Sequence, residues 1–267
     1  MPLWILSIIL GFVEGLTEFL PVSSTGHLLI AEHLLKLDPA SFLRSDLFNV
    51  VIQAGAVMAV IPLFRDRFAM LTRLHEPASQ SFLAKIIAAF LITCVGGFIM
   101  EKKHFKLPEE VQPVALALLI GGIVFIAVET LLRGKSLPDS ISWPVAITVG
   151  LAQLIAAAFP GASRSGSTIM LAMIVGASRV SATEFSFLVG IPTMLAASAL
   201  KIFKEIHHPA TDGVPTDWGI LLLASIVAII VSFITVKWLL GFVRSHTFIG
   251  FGIYRIIVGV LLLLFLQ

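Results

Sequence analysis

Glu14 and Glu18 stand four residues apart inside an apolar stretch, so a helix carries both on one face. Like charges at that spacing repel, and an acidic side chain at the centre of a bilayer costs about 2.5–3.5 kcal/mol on insertion scales. The pair calls for a partner. A divalent cation would serve, because Mg²⁺ is commonly held by one or two carboxylates together with substrate phosphates. Alternatively, one Glu keeps its proton and works as acid or base. The plain alternative is a helix end at the water interface.

Three residues beyond Glu18, the segment 21–27 brings Ser23, Ser24, Thr25 and His27. Hydroxyls, an imidazole and the backbone N–H groups of a helix start make an anion site. A hydroxyl beside a base is also the pattern for nucleophilic catalysis. On its own, Ser-Ser-Thr-Gly is an ordinary capping signal; the glutamates make it more. A second segment, 160–168, brings Ser163, Arg164, Ser165, Ser167 and Thr168. Arg164 is the only Lys or Arg between Leu137 and Ala177. A guanidinium in so apolar a setting needs an anion, and its planar fork matches phosphate. Pairing with Glu14 or Glu18 is the structural alternative.

Together the two segments supply carboxylates, hydroxyls, an imidazole, a guanidinium and two helix starts. That set suits a phosphate group with a metal better than peptide or sugar chemistry. Set among lipid-facing helices, it implies a lipid phosphate or diphosphate, bound or hydrolysed. Other polar residues say less. Glu184 is expected to complement a helix dipole, and Gln53 and Glu129 to face the bundle interior. Arg255 is expected inside or snorkelling. His207 and His208 lack a further ligand motif and are expected in solvent. The single cysteine, Cys94, is expected to be a buried structural thiol; one thiol makes neither a disulfide nor a zinc site.

The elements that position these residues follow from composition. Of 267 residues, 58% are hydrophobic and 13% charged, against about 45–50% and about 25% in soluble domains. Mean hydropathy is +1.02. This excludes a soluble enzyme, a disordered chain and a disulfide scaffold. The net charge of +2 gives no footprint for nucleic acid. The first basic residue is Lys36, so the opening segment is expected to belong to the folded protein and not to a cleaved signal. The fold expected is an all-α polytopic membrane protein. Six segments have the roughly 20 apolar residues a span requires: 46–64, 82–100, 111–132, 183–204, 217–240 and 248–266. Two regions, 2–35 and 142–178, are broken by the Ser-rich segments above. Lipid cannot satisfy broken backbone, so both are read as re-entrant helix–loop–helix hairpins whose loops meet.

The two regions look like copies. Gly11-x-x-Glu14, six residues and Pro21 match Gly150-x-x-Gln153, six residues and Pro160 at an offset of 139, which sets Ser24 opposite Ser163. The chain divides into repeats 1–133 and 139–267, each a hairpin plus three spans. An odd number of crossings inverts the second repeat, an architecture common among transporters. Basic residues after the first, third and fifth spans (Arg65, Arg67, Arg73; Arg133, Lys135; Lys237, Arg244) place those loops in the cytoplasm and both termini outside. The loop 101–110 balances Lys102, Lys103 and Lys106 against Glu101, Glu109 and Glu110.

Glu14-Gly-Leu-Thr-Glu18-Phe-Leu-Pro-Val-Ser-Ser-Thr-Gly-His27 resembles the first signature of the bacterial undecaprenyl-diphosphate phosphatases linked to bacitracin resistance. Pro160-Gly-Ala-Ser-Arg-Ser-Gly-Ser-Thr168 resembles the second, and Glu184-Phe-Ser-Phe-Leu also fits. The likeness covers essentially the whole chain. It implies an enzyme of the bacterial inner membrane that removes the terminal phosphate of undecaprenyl diphosphate and so recycles the lipid carrier for peptidoglycan. It also implies two re-entrant hairpins, six spans, a site opening outward and a homodimer. By the same resemblance, Glu14 and Glu18 hold Mg²⁺ or Ca²⁺ or act as base. Ser24 and His27 are nucleophile or proton carrier. Ser163, Arg164 and Thr168 bind the diphosphate, with Ser23, Thr25 and Ser165 beside them. The competing expectation is a flippase of a polyprenyl phosphate, which needs the cation but no nucleophile and base; a scaffold protein gives no reason to bury Glu14, Glu18 and Arg164.

Overall fold

A computed structural model describes residues 1–73, 75–103, 105, 110–207 and 216–265, without the side chains of 71 and 72. Ten helices of eleven residues or more carry the architecture: α1 Leu3–Thr17, α2 Ser24–Leu34, α3 Asp46–Met58, α4 Pro77–Lys102, α5 Val111–Leu131, α6 Trp143–Ala158, α7 Arg164–Ile174, α8 Arg179–His207, α9 Trp218–Phe242 and α10 Ile249–Phe265. A short helix, Val60–Leu63, extends α3, and among the described residues there is no strand. Polar side chains set the starts: Ser23, Ser45, Ser142, Ser163 and Asp217 each accept from a backbone N–H three residues on, which satisfies a donor the helix leaves free.

Five segments are long and apolar enough to cross a membrane: Asp46–Leu63, Pro77–Lys102, Val111–Leu131, Arg179–His207 and Trp218–Phe242. The segment expected at 248–266 is the 17-residue α10, shorter than a simple span. Helix α8 begins at Arg179, one turn before the expected start, because the Ser178 hydroxyl accepts from the Ser181 N–H. Glu184 therefore sits in the second turn and pairs with Arg67 at 2.9 Å instead of serving the helix end. Of the residues in loop 101–110, Lys106 and Glu109 lie outside the described residues, as does His208.

Helix α1 packs on α9 and α6 packs on α4, while α3 meets α8 and α5 meets α10. Helices α1 and α6 both approach their partner through glycine. A Cβ at Gly11 would lie 2.4 Å from the Ala224 carbonyl oxygen, and one at Gly150 would lie 2.8 Å from that of Ala89. The largest buried core cluster includes Phe19, which meets Phe187 edge-on at 4.8 Å between ring centres. Glu129 faces inward as expected. Its two oxygens take Nε and Nη2 of Arg179 at 2.8 and 2.6 Å, and it also accepts the Phe248 N–H.

Cys94 corrects the sequence reading: it is exposed. Helix α4 contributes little buried surface along its length, and Cys94 lies on its outward face. There the apolar surroundings expected of a buried thiol come from outside the protein.

Candidate active site

The two Ser-rich loops meet. Ser165 on the second donates to the Leu20 carbonyl on the first at 3.2 Å. The two loops have the same shape at their ends. Ser23 (φ 73°) and Ser163 (φ 69°) both adopt a left-handed backbone, and each side chain accepts from the glycine three residues on, Gly26 and Gly166. This corrects the pairing read from the sequence. Ser163 corresponds to Ser23, not to Ser24, because the second loop holds one more residue between its proline and its capping serine: Gly161-Ala162 stands where the first has Val22 alone. Ser24 therefore occupies the place that Arg164 occupies in the other loop, the first residue of its helix. Gly161 itself has φ +90°, and its Cα faces the Val114 carbonyl so closely that a Cβ would come to 2.6 Å.

Arg255 holds both loops from below. It is fully buried in α10 and donates to the carbonyls of Pro21 (3.3 Å), Gly161 (3.2 Å), Ala162 (3.2 Å) and Ala117 (3.1 Å). The loop carbonyls of Pro21, Gly161 and Ala162 thus gain charge-assisted donors, and the Ala117 carbonyl ties the clamp to α5. The sequence placed Arg255 inside or snorkelling; the inside position is the one observed, and its partners lie at 93 to 234 residues' distance along the chain.

Above this clamp lies a cavity of about 240 Å³ lined by Glu18, Ser23, Ser24, Thr25, Ser163 and Arg164, with Gln53, Thr93, Gln153 and Thr193 on its remaining polar wall. Glu18 is its hub. One carboxylate oxygen takes the Ser24 hydroxyl at 2.8 Å, and the other takes Arg164 Nη2 at 2.9 Å. Arg164 also touches Met194 Sδ at 3.1 Å and lies 5.4 Å from the Phe19 ring centre. Its Nε and Nη1 are buried without partners. Helix α8 makes room for it at Gly190, where a Cβ would fall 2.3 Å from Nη1.

Glu14 lies one turn below Glu18, fully buried, with both oxygens unpartnered; its charged neighbours are Glu18 and Arg164. Bare carboxylate oxygens in so closed a place suit a cation or a proton. Among the described residues no three His, Cys, Asp or Glu side chains converge, so a cation here would rely on the two glutamates plus oxygens from a substrate, which is how Mg²⁺ is often bound.

Like Glu14, three more expected site residues do not line the cavity. The Thr168 hydroxyl donates to the Arg164 carbonyl and bonds Ser186 Oγ, and Ser165 is engaged with Leu20 and Ser163. Both are fully buried and shape the loop without lining the cavity. Both ring nitrogens of His27 are engaged: Nδ1 with the Ser23 carbonyl at 2.7 Å, Nε2 with the Tyr254 hydroxyl at 2.7 Å. A carbonyl only accepts, so Nδ1 carries the proton and Nε2 accepts from the tyrosine. The rings stack at 5.6 Å. His207 is exposed and bonded to the Phe203 carbonyl.

Residues missed by the sequence reading include Thr93 and Gln153. Gln153 Nε2 donates to Thr93 Oγ1 at 2.9 Å, and its own oxygen is unpartnered at the cavity. The offset of 139 matches Gln153 to Glu14 without assigning it a role at the site. Thr93 and Gly190 carry no signal without the fold.

These features define a polytopic helical membrane protein in which one carboxylate, Glu18, holds a serine hydroxyl and a guanidinium together at a buried polar cavity. The chain belongs to the bacitracin resistance protein BacA family, whose model matches residues 7–261. It is similar to the undecaprenyl-diphosphatase of Rhizobium etli strain CIAT 652, 50% identical over 257 residues that cover 96% of this chain and 94% of the relative. Against the undecaprenyl-diphosphatase of Xylella fastidiosa strain 9a5c, identity is 46% over 97% of both chains.

Proposed function

We propose that this chain is a membrane phosphatase that hydrolyses undecaprenyl diphosphate to undecaprenyl phosphate and inorganic phosphate. The observation that carries the mechanism is Glu18, which holds the Ser24 hydroxyl on one oxygen and Arg164 on the other. Ser24 Oγ attacks the terminal phosphorus, Glu18 takes its proton, and the bond to the bridging oxygen breaks to release undecaprenyl phosphate. Glu18 releases that proton to solvent as undecaprenyl phosphate departs. Water then attacks the phosphoserine; Glu18 takes the water proton and returns it to Ser24 Oγ as the P–O bond to serine breaks and inorganic phosphate leaves. Direct attack by water held in the place of the hydroxyl is the variant. Arg164 turns its free Nε and Nη1 to the phosphoryl oxygens, where charge must be stabilised in phosphoryl transfer. Ser23, Thr25 and Ser163 offer hydroxyls to the diphosphate. His27 serves as proton carrier only once released from Tyr254. Mg²⁺ or Ca²⁺, held by Glu14 and Glu18, would neutralise charge on the diphosphate.

The site lies between two inverted repeats of six spans and two re-entrant hairpins, 1–133 and 139–267. Support comes from the reciprocal packing of α1 on α9 and α6 on α4 and from the matching cap geometry of both loops. Helices α1 and α6, of 15 and 16 residues, each end at a Ser-rich loop and pack on the 11-residue helix that follows, α2 and α7. The positive-inside pattern supports termini and site facing outward across the inner membrane, and the family resemblance supports a homodimer.

Purified protein in detergent should release phosphate from undecaprenyl diphosphate, and Glu18→Gln and Arg164→Ala should each cost at least about a hundredfold. Near-native rates in either variant would remove that residue from the chemistry. The two-fold packing also favours a flippase. That reading requires a membrane, so phosphate release in detergent separates the two, and both activities can coexist.

A further inference from the structure

A second cavity, of about 340 Å³, lies between α4 and α8. Its walls are apolar: Leu83, Ile86 and Phe90 from α4, and Leu188, Ile191 and Leu195 from α8. At one end Arg67 closes it, pairing with Glu184 at 2.9 Å and covering the Phe82 ring at 5.5 Å. At the other end the same two helices become walls of the catalytic cavity. On α4, Thr93 follows Phe90 by three residues, the next place on the same stripe. On α8, Met194 and Thr193 in the catalytic cavity adjoin Leu195 and Pro192 in the groove. From Ser79 to Phe90 the groove follows α4 for about 16 Å, at about 1.5 Å per residue.

We infer that this groove between α4 and α8 holds the first part of the isoprenoid tail of the substrate while the diphosphate sits at Glu18 and Arg164; the inference rests on the phosphatase reading above. A polyprenyl diphosphate joins a charged head directly to a branched apolar chain, and the two cavities present that sequence of surfaces along one helix pair. Aromatic and branched aliphatic walls pack well against methyl-bearing chains. Lipid already surrounds a free tail, so the gain is close packing and not removal from water. The groove then acts on chain-length preference.

The test substitutes the half of the groove far from the catalytic cavity and compares two substrates. Leu83→Trp should raise KM for undecaprenyl diphosphate by about tenfold, the equivalent of about 1.4 kcal/mol of packing. Activity on geranyl diphosphate, too short to reach Leu83, should stay within about twofold and so reports an intact fold. Equal losses on both substrates, or no change on either, would overturn the inference. A phospholipid filling the groove gives the second of these. Release of phosphate from neither substrate by the wild-type protein would instead sink the phosphatase reading. The tail position is then read by photocrosslinking: a polyprenyl diphosphate with a diazirine in its third isoprene unit should label peptides within 79–90, and labelling confined to other helices would overturn the inference whether or not hydrolysis occurs.

Discussion

Gly190→Ala adds one carbon to α8 in the place the Arg164 guanidinium needs. The new Cβ would lie 2.3 Å from Nη1 and 3.0 Å from Cζ. Real Cβ atoms do not come so close, so the guanidinium must move. Moving it disturbs the 2.9 Å bond to Glu18 and the 3.1 Å contact with Met194. The helix itself gains, because alanine in a helix interior is favoured over glycine by about 0.8–1 kcal/mol, and Gly190 has no left-handed backbone to protect. Thermal stability in detergent should therefore hold or rise slightly while catalysis falls. Loss of one aligned donor to a developing anionic charge typically costs 10²–10³ in kcat, about 2.7–4 kcal/mol of barrier. Phosphate release from undecaprenyl diphosphate should drop by about a hundredfold. Gly97→Ala is the control, since nothing lies within 4 Å of its added Cβ, and it should behave as wild type. Activity of Gly190→Ala within about threefold of wild type would refute the reasoning, because it would mean that the position of the guanidinium does not matter.

Arg255→Leu removes donors from three loop carbonyls and from the Ala117 carbonyl of α5; at about 1.5–3 kcal/mol for a charged hydrogen bond, the melting temperature in detergent should fall clearly. Arg255→Lys should not rescue it, because a point ammonium cannot replace the fork. Gly11→Ala and Gly150→Ala should both lower thermal stability, since each forces a helix away from a backbone carbonyl; a fall in only one would count against equivalent packing of the hairpins. Chelator treatment should abolish phosphate release and added Mg²⁺ or Ca²⁺ restore it in wild type, with Glu14→Gln needing more metal to recover; full activity in chelator would remove the cation from the account.

Much of this arrangement was legible in the sequence because membranes punish exceptions. Broken backbone and buried charge stand out against apolar runs, so the two loops, the acidic pair and Arg164 were visible directly. Five of the six expected spans match a helix long and apolar enough to cross; the largest shifts are at starts, as where the Ser178 cap moves one that hydropathy cannot see. The register between the loops was misread because one inserted residue after Pro160 shifts the capping serine, and only the backbone conformation reveals which serine caps. The partners of Arg255 and His27 were not legible, since pairing across 227 or 234 residues depends on tertiary contact. Cys94 was misplaced because an apolar run looks the same whether its surroundings are protein or lipid.

The central claim is that residues from two distant loops act as one catalytic unit. A double-mutant cycle measures this directly: phosphate release from undecaprenyl diphosphate by Glu18→Gln, Arg164→Ala and the combined variant. If the two side chains work together, the combined variant is no slower than the worse single variant by more than about threefold, as for groups that function as a unit. Losses that multiply in full, or a single variant at near-native rate, would contradict the account.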